Sequence, residues 1–182
     1  MIVLLIALVV VAVLVIWTVA TYNSLVGTRN RAEEALGALD AHLKQRYDLI
    51  PNLVETVKGY AAHEEETLSR VIGARNAAMS SSPAQRGKAE DALSDTLHHL
   101  FALSESYPDL KANASFMDLQ RRLASLEADI LNARKYYNAL ARTMNDKVDM
   151  FPSSIIASVF HFARLSYIEV AQEEKAVPEV RF

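Results

Sequence analysis

Residues 46–60, RYDLIPNLVETVKGY, decide the fold. They place a proline inside an otherwise helical run, and the hydrophobic phase is the same on both sides of it. Leu36, Leu43, Ile50 and Val57 are each seven apart, with Pro51 in the middle of the series. In a helix Pro51 leaves the carbonyl of Tyr47 without its hydrogen bond and costs about 3 kcal/mol. The residue before a proline also resists the α region. Against this, no Gly, Asn or Ser cluster precedes Pro51 to form a loop, and a true break would normally reset the phase. The pattern predicts one long helix bent at Tyr47 and Pro51, a hinge between a stalk and the bundle beyond it. The titratable residues here, Arg46, Asp48, Glu55 and Lys58, have no catalytic company in sequence.

Toward the N-terminus, residues 2–17, IVLLIALVVVAVLVIW, are apolar without exception, and the first charge is Arg29. Roughly 20 uncharged residues cross about 30 Å of hydrocarbon as a helix. Trp17 and Tyr22 stand at one end, where amphipathic rings favour the headgroup layer. Thr18-Val19-Ala20 would pass as a signal-peptide cleavage site, but no Lys or Arg precedes the run and the run is long for an h-region. A retained anchor over 1–22 is therefore expected. Arg29 and Arg31 follow the span, and nothing basic but the α-amino group precedes it. The positive-inside bias then puts the N-terminus outside and the folded domain in the cytoplasm.

Toward the C-terminus, apolar or small residues recur from Leu25 through Ala32, Leu36, Leu39, Leu43, Ile50, Leu53, Val57 and Tyr60 to Val71 and Ala74, by heptad-like steps with an 11-residue step after Tyr60. This predicts a helix over 23–79, kinked near Pro51, ending in the serine cluster 80–82. Ser82-Pro83-Ala84-Gln85 forms a capping box with proline at the first helical position, so a second helix is expected over 83–106. Its apolar side carries Leu93, Leu97, Leu100 and Tyr107. After a short loop, Asn113 or Ser115 caps a third helix over 114–150, with a stripe from Phe116 through Leu123, Ile130 and Tyr137 to Met144. Lys147 is the one lapse in that stripe. Residues 153–165 read as a short fourth helix folded back on the bundle, and 166–182 as a tail.

The expected fold is all-α: a transmembrane helix continuing into an elongated antiparallel bundle of three long helices and a short fourth, over 23–165. Few glycines and prolines (5 of each) and no alternating strand pattern support it. The absence of cysteine excludes disulfides and thiol chemistry. A net charge of −3 gives no basic footprint, so nucleic acid is not an expected partner.

Several stretches carry a family resemblance. YDLIPNLVETVKGYAAHEEETL (47–68), YPDLKANASFMDLQ (107–120), ARKYYN (133–138), MFPSSIIASVFHF (150–162) and YNSLVGTRN (22–30) resemble the LemA family of bacterial membrane proteins. The resemblance covers essentially the whole chain. It implies a single-pass protein with an outside N-terminus and a long-helix bundle, no settled enzymatic activity, and links to membrane organisation and membrane proteases. Two departures stand out: Leu36 where the family usually has Trp, and Met144 where it usually has Tyr. Both exchange one hydrophobic seam residue for another.

Candidate chemistry is thin. His63-Glu64-Glu65-Glu66-Thr67 is a near miss for a zinc-protease helix, because the position that needs the second histidine holds Thr67. Asp95 and His98 share a helix face, but a di-metal bundle site needs two such pairs and two further Glu. A metal-dependent hydrolase using His63/Glu64 or Asp95/His98 is the alternative function, and no cofactor or metal is expected. Asn23/Asn30 and Asn138/Asn145 lie one heptad apart beside the seams, where asparagine can fix register or assembly. The leading expectation is a non-enzymatic scaffold in the inner membrane of a bacterium, self-assembling as a homo-oligomer or recruiting other membrane proteins, with the lipid bilayer as its first partner.

Overall fold

The computed structural model describes residues 1–61, 63–83 and 85–169. Among these, six helices follow in order: α1 (Ile2–Lys58), α2 (Glu65–Ser80), α3 (Arg86–Ser104), α4 (Pro108–Lys111), α5 (Ala114–Asp149) and α6 (Ser153–Val159). The all-α class is as expected. Residues 170–182, most of the expected tail, lie outside the described residues.

α1 is one helix of 57 residues with Pro51 inside it. It stops at Lys58, however, not at 79. The amides of Tyr60 and Ala61 both turn back onto the carbonyl of Val57, at 3.0 and 2.8 Å. Gly59 costs about 1 kcal/mol against alanine in a helix, and Tyr60, expected on the seam, is exposed. The seam lapses there, so nothing offsets that cost.

Three other boundaries differ from expectation. α3 begins at Arg86 rather than 83; Ser82 Oγ meets the Gln85 side chain at 3.3 Å and, among the described residues, caps no backbone amide. The expected loop after α3 contains a helical turn, α4, opened by Pro108, whose missing N–H costs nothing at a first helical position. α6 ends at Val159, well short of 165. There the Phe162 amide reaches the Ala157 carbonyl (2.9 Å) and the His161 amide the Ser158 carbonyl (3.2 Å). That is a Schellman closure, and it puts His161 in the left-handed region at φ 55°. Asn113 rather than Ser115 caps α5, its Oδ1 accepting from the Phe116 amide at 3.0 Å.

The chain divides into two compact units, one of residues 1–38 with 133–167, the other of 39–132 with the described residues from Ile168 on. In the second, α1 and α5 run antiparallel: Tyr60 bonds Asn113 and Arg46 bonds Glu127. α1 and α3 run parallel, with Asp40 paired to Arg86 and Arg46 to Glu90. The core holds Ile50, Leu53, Val57, Leu68, Val71, Leu93, Leu97, Leu100, Phe116 and Leu123, all buried. Each fully buried Leu or Ile contributes about 1.5–3 kcal/mol. The first unit has its own core of Leu25, Met144, Ile156 and Ala157, flanked by Trp17, Val148, Phe162 and Leu165. Here Ala35 is buried while the predicted seam residue Leu36 is only half-buried.

Candidate functional site

Burial of charge, not an open cleft, marks the most unusual site. Arg46 is 0% exposed and Glu90 2%. Arg46 occupies the seam position between Leu43 and Ile50 on α1, so the phase that buries those residues buries the guanidinium as well. Glu90 stands three residues before Leu93 on the buried face of α3. An isolated charge at such depth would cost several kcal/mol, which pairing and hydrogen bonding offset.

The pairing is extensive. Arg46 Nη2 donates to Glu90, and Nη1 donates to Ser94 Oγ at 2.9 Å and to Glu127 Oε1 at 2.5 Å. Ser94 donates in turn to Glu127 Oε2 at 2.9 Å. The Tyr47 hydroxyl donates to the other oxygen of Glu90. Burial, followed by that bond and the negative charge of Glu90, raises the Tyr47 pKa far above its usual value. Arg46 Nε has no acceptor among the described residues. Two carboxylates on one guanidinium thus tie α1, α3 and α5 together. Because Arg46 and Glu90 are closed to solvent, the network is suited to fixing helix register rather than to handling a substrate.

A second polar contact serves Pro51. Arg75 Nε on α2 donates to the carbonyl of Tyr47 at 2.8 Å, the acceptor that an N–H at position 51 would have taken. Pro51 itself faces solvent.

The asparagines do not share one environment. Asn23 and Asn30 are exposed and Asn138 is half-buried. Asn145 is buried and grips the backbone of Leu165 from both sides: Nδ2 donates to its carbonyl at 3.0 Å and its amide donates to Oδ1 at 2.8 Å. It clamps the extended segment after α6. Lys147, the lapse in the α5 stripe, donates to Ser24 Oγ at 2.8 Å and Thr28 Oγ1 at 2.6 Å on α1. Partial burial lowers its pKa, and Arg31 adds to the shift. Trp17 packs beside the core of this unit, and Tyr22 meets the rings of Phe160 and Phe162 at 4.8 and 5.7 Å.

His63 and Glu64 lie in the turn before α2, not on a helix. His63 is exposed, and Glu64 Oε1 accepts from the Tyr107 hydroxyl at 2.7 Å, a bond that raises the Tyr107 pKa. His98 is exposed. His99, not His98, joins Asp95 in lining an open groove of about 450 Å³, with Thr67, Arg70, Thr96 and Leu103. Among the described residues no three His, Asp or Glu side chains are grouped to hold a metal ion.

Comparison with known proteins adds two findings. The family model described as "LemA family" matches residues 35–182. A protein named "Protein LemA" from Metamycoplasma hominis is 23% identical over 158 residues, 84% of this chain and 71% of that protein.

Proposed function

The chain belongs to the LemA family, and from that premise we propose that it is a membrane-anchored, non-enzymatic helical scaffold. α1 begins in a bilayer, the bundle lies on the cytoplasmic face of the inner membrane of a bacterium, and copies of the chain or other membrane proteins pack against the bundle.

One observation carries this reading. Residues 2–16 of α1 are apolar and exposed on every side, and the same helix continues without interruption into the packed wall around Leu25. A core helix of a water-soluble domain would bury such a surface. A ring of Leu, Val and Ile side chains open all round suits hydrocarbon, where a helix also satisfies its own backbone. Arg29 and Arg31, both exposed just after the segment, supply the orientation bias. The buried Arg46–Glu90–Glu127 network supports a structural role for the bundle, since it spends charge on register rather than on an open site.

The test is size-exclusion chromatography with light scattering on the full chain purified in mild detergent. Higher-order species or a stoichiometric copurifying membrane protein are expected. A strict monomer with no companion would contradict the scaffold reading.

A further inference from the structure

α6 has two unlike faces. Ile156 and Ala157 are buried against Leu25 and Met144. Around them Met150, Phe151, Ile155 and Val159 are 62%, 81%, 50% and 63% exposed. Large apolar side chains grouped this closely at the surface of a folded unit mark a contact site. Their partner follows from their place beside α1.

The unit made of residues 1–38 and 133–167 fixes that place. Lys147, close to the end of α5, bonds Ser24 and Thr28. Beyond it, Phe160 and Phe162 pack on Tyr22, and α6 shares its core with Trp17 and Leu25. The hairpin from Met150 to Val159 therefore lies beside residues 17–25 of α1, immediately after the apolar segment. At about 1.5 Å per residue, a helix from Ile2 to Tyr22 fills about 30 Å of hydrocarbon, so the level of Tyr22 is the interfacial layer and Trp17 lies about 7.5 Å inside it.

Charge at this end fits a headgroup region. Phe151, Ile155 and Val159 bring no charge of their own. Arg29 on α1, half exposed and paired with Glu33 at 3.8 Å, has its guanidinium 5.7 Å from the Phe162 ring centroid, and Arg164 after α6 is largely exposed. Arg164 is paired with Asp149 at 2.8 Å. The sequence around α6 lacks the basic face of an ordinary interfacial helix; the fold brings Arg29 and Arg164 to this end, each beside a carboxylate, so the apolar side chains rather than net charge carry the contact.

We propose that the Met150–Val159 hairpin is a second membrane contact, with Phe151, Ile155 and Val159 immersed in the interfacial layer of the bilayer that α1 enters. The proposal rests on the anchor reading of α1. It turns one point of attachment into two, which fixes the tilt and rotation of this unit against the membrane.

The chain has no cysteine, so single reporters can be placed directly. Val10→Cys, Ala139→Cys, Phe151→Cys and Ile155→Cys, all at exposed positions, are each labelled with an environment-sensitive fluorophore. The full chain is reconstituted in vesicles of phosphatidylcholine and phosphatidylglycerol carrying lipid-borne nitroxide quenchers. The inference expects blue-shifted, quenched emission at 10, 151 and 155 and unquenched, water-like emission at 139. Quenching at 10 with water-like emission at 151 and 155 overturns the hairpin contact and leaves the anchor standing. Water-like emission at 10 overturns the anchor, and the inference with it.

Discussion

Arg75 reaches from α2 to the carbonyl of Tyr47 and occupies the acceptor that Pro51 leaves open, at 2.8 Å. A proline within a helix costs about 3 kcal/mol, partly because that carbonyl loses its bond. Here a charged donor from a neighbouring helix restores it, and α1 runs on to Lys58. The two residues should therefore be coupled. Arg75→Met is expected to cost about 1.5–3 kcal/mol, the range for a hydrogen bond to a charged group. In a Pro51→Ala background, where the residue-51 amide can take the carbonyl back, the cost should fall by about 1 kcal/mol or more. Denaturant unfolding of the parent and the three variants in detergent measures this. Strict additivity would show that Arg75 does not serve the Pro51 gap.

Arg46 and Glu90 test the buried network. Arg46→Met leaves Glu90 buried without its counter-charge, and a loss of about 3–5 kcal/mol is expected. Replacing Arg46, Glu90 and Glu127 together by methionine removes every member of the charge cluster, so stability should return to near the parent value or exceed it. The same unfolding experiment gives both numbers. A triple variant as unstable as Arg46→Met would contradict the account.

Tyr47 gives the network a pH dependence. Its folded pKa is raised, chiefly by burial and then by the bond to Glu90. A group raised in the fold contributes stability that is fully present below its unfolded pKa, near 10 for tyrosine, and is lost as pH climbs toward the folded value. Unfolding midpoints should therefore fall above about pH 10. Tyr47→Phe should flatten that fall while lowering stability at neutral pH by about 1.5–3 kcal/mol, since Glu90 loses a donor. Equal alkaline slopes in the two proteins would exclude Tyr47 as the source.

The α6 terminus offers a gain of stability. His161 sits at φ 55° in the Schellman closure, a position where glycine has no Cβ penalty. His161→Gly should stabilise the folded chain by about 1 kcal/mol, visible as a higher melting temperature in detergent. An unchanged or lower melting temperature would show that the His161 side chain contributes more than its backbone costs.

The sequence made the helices legible, but not every place where they stop. Retained phase correctly indicated that α1 passes Pro51. The same criterion failed at Gly59, because the 11 residues from Tyr60 to Val71 are close to three whole turns. A chain can leave a helix and re-enter it in phase, so phase marks which face is buried rather than continuity. The glycine and the acidic cluster 64–66 were the available signals. Arg46 was visible as a charge at a seam position, flanked by Leu43 and Ile50. Its partners Glu90 and Glu127 are 44 and 81 residues away, and pairing at that distance is set by how helices pack, not by any local pattern. Lys147 was a visible lapse in a stripe for the same reason: its acceptors are on α1. Asn145 was singled out as a register or assembly contact; in the fold its side chain holds the Leu165 backbone, because a buried amide must find both a donor and an acceptor and an extended segment supplies both.

The central claim is that the chain is an anchored scaffold whose bundle takes partners at the membrane. In-cell crosslinking of the full chain with a lysine-reactive reagent, followed by mass spectrometry, tests it most directly. Reproducible crosslinks from the bundle lysines to a second copy or to another membrane protein are the predicted result. Crosslinks confined to one chain, at expression levels where the protein is fully membrane-bound, would contradict it.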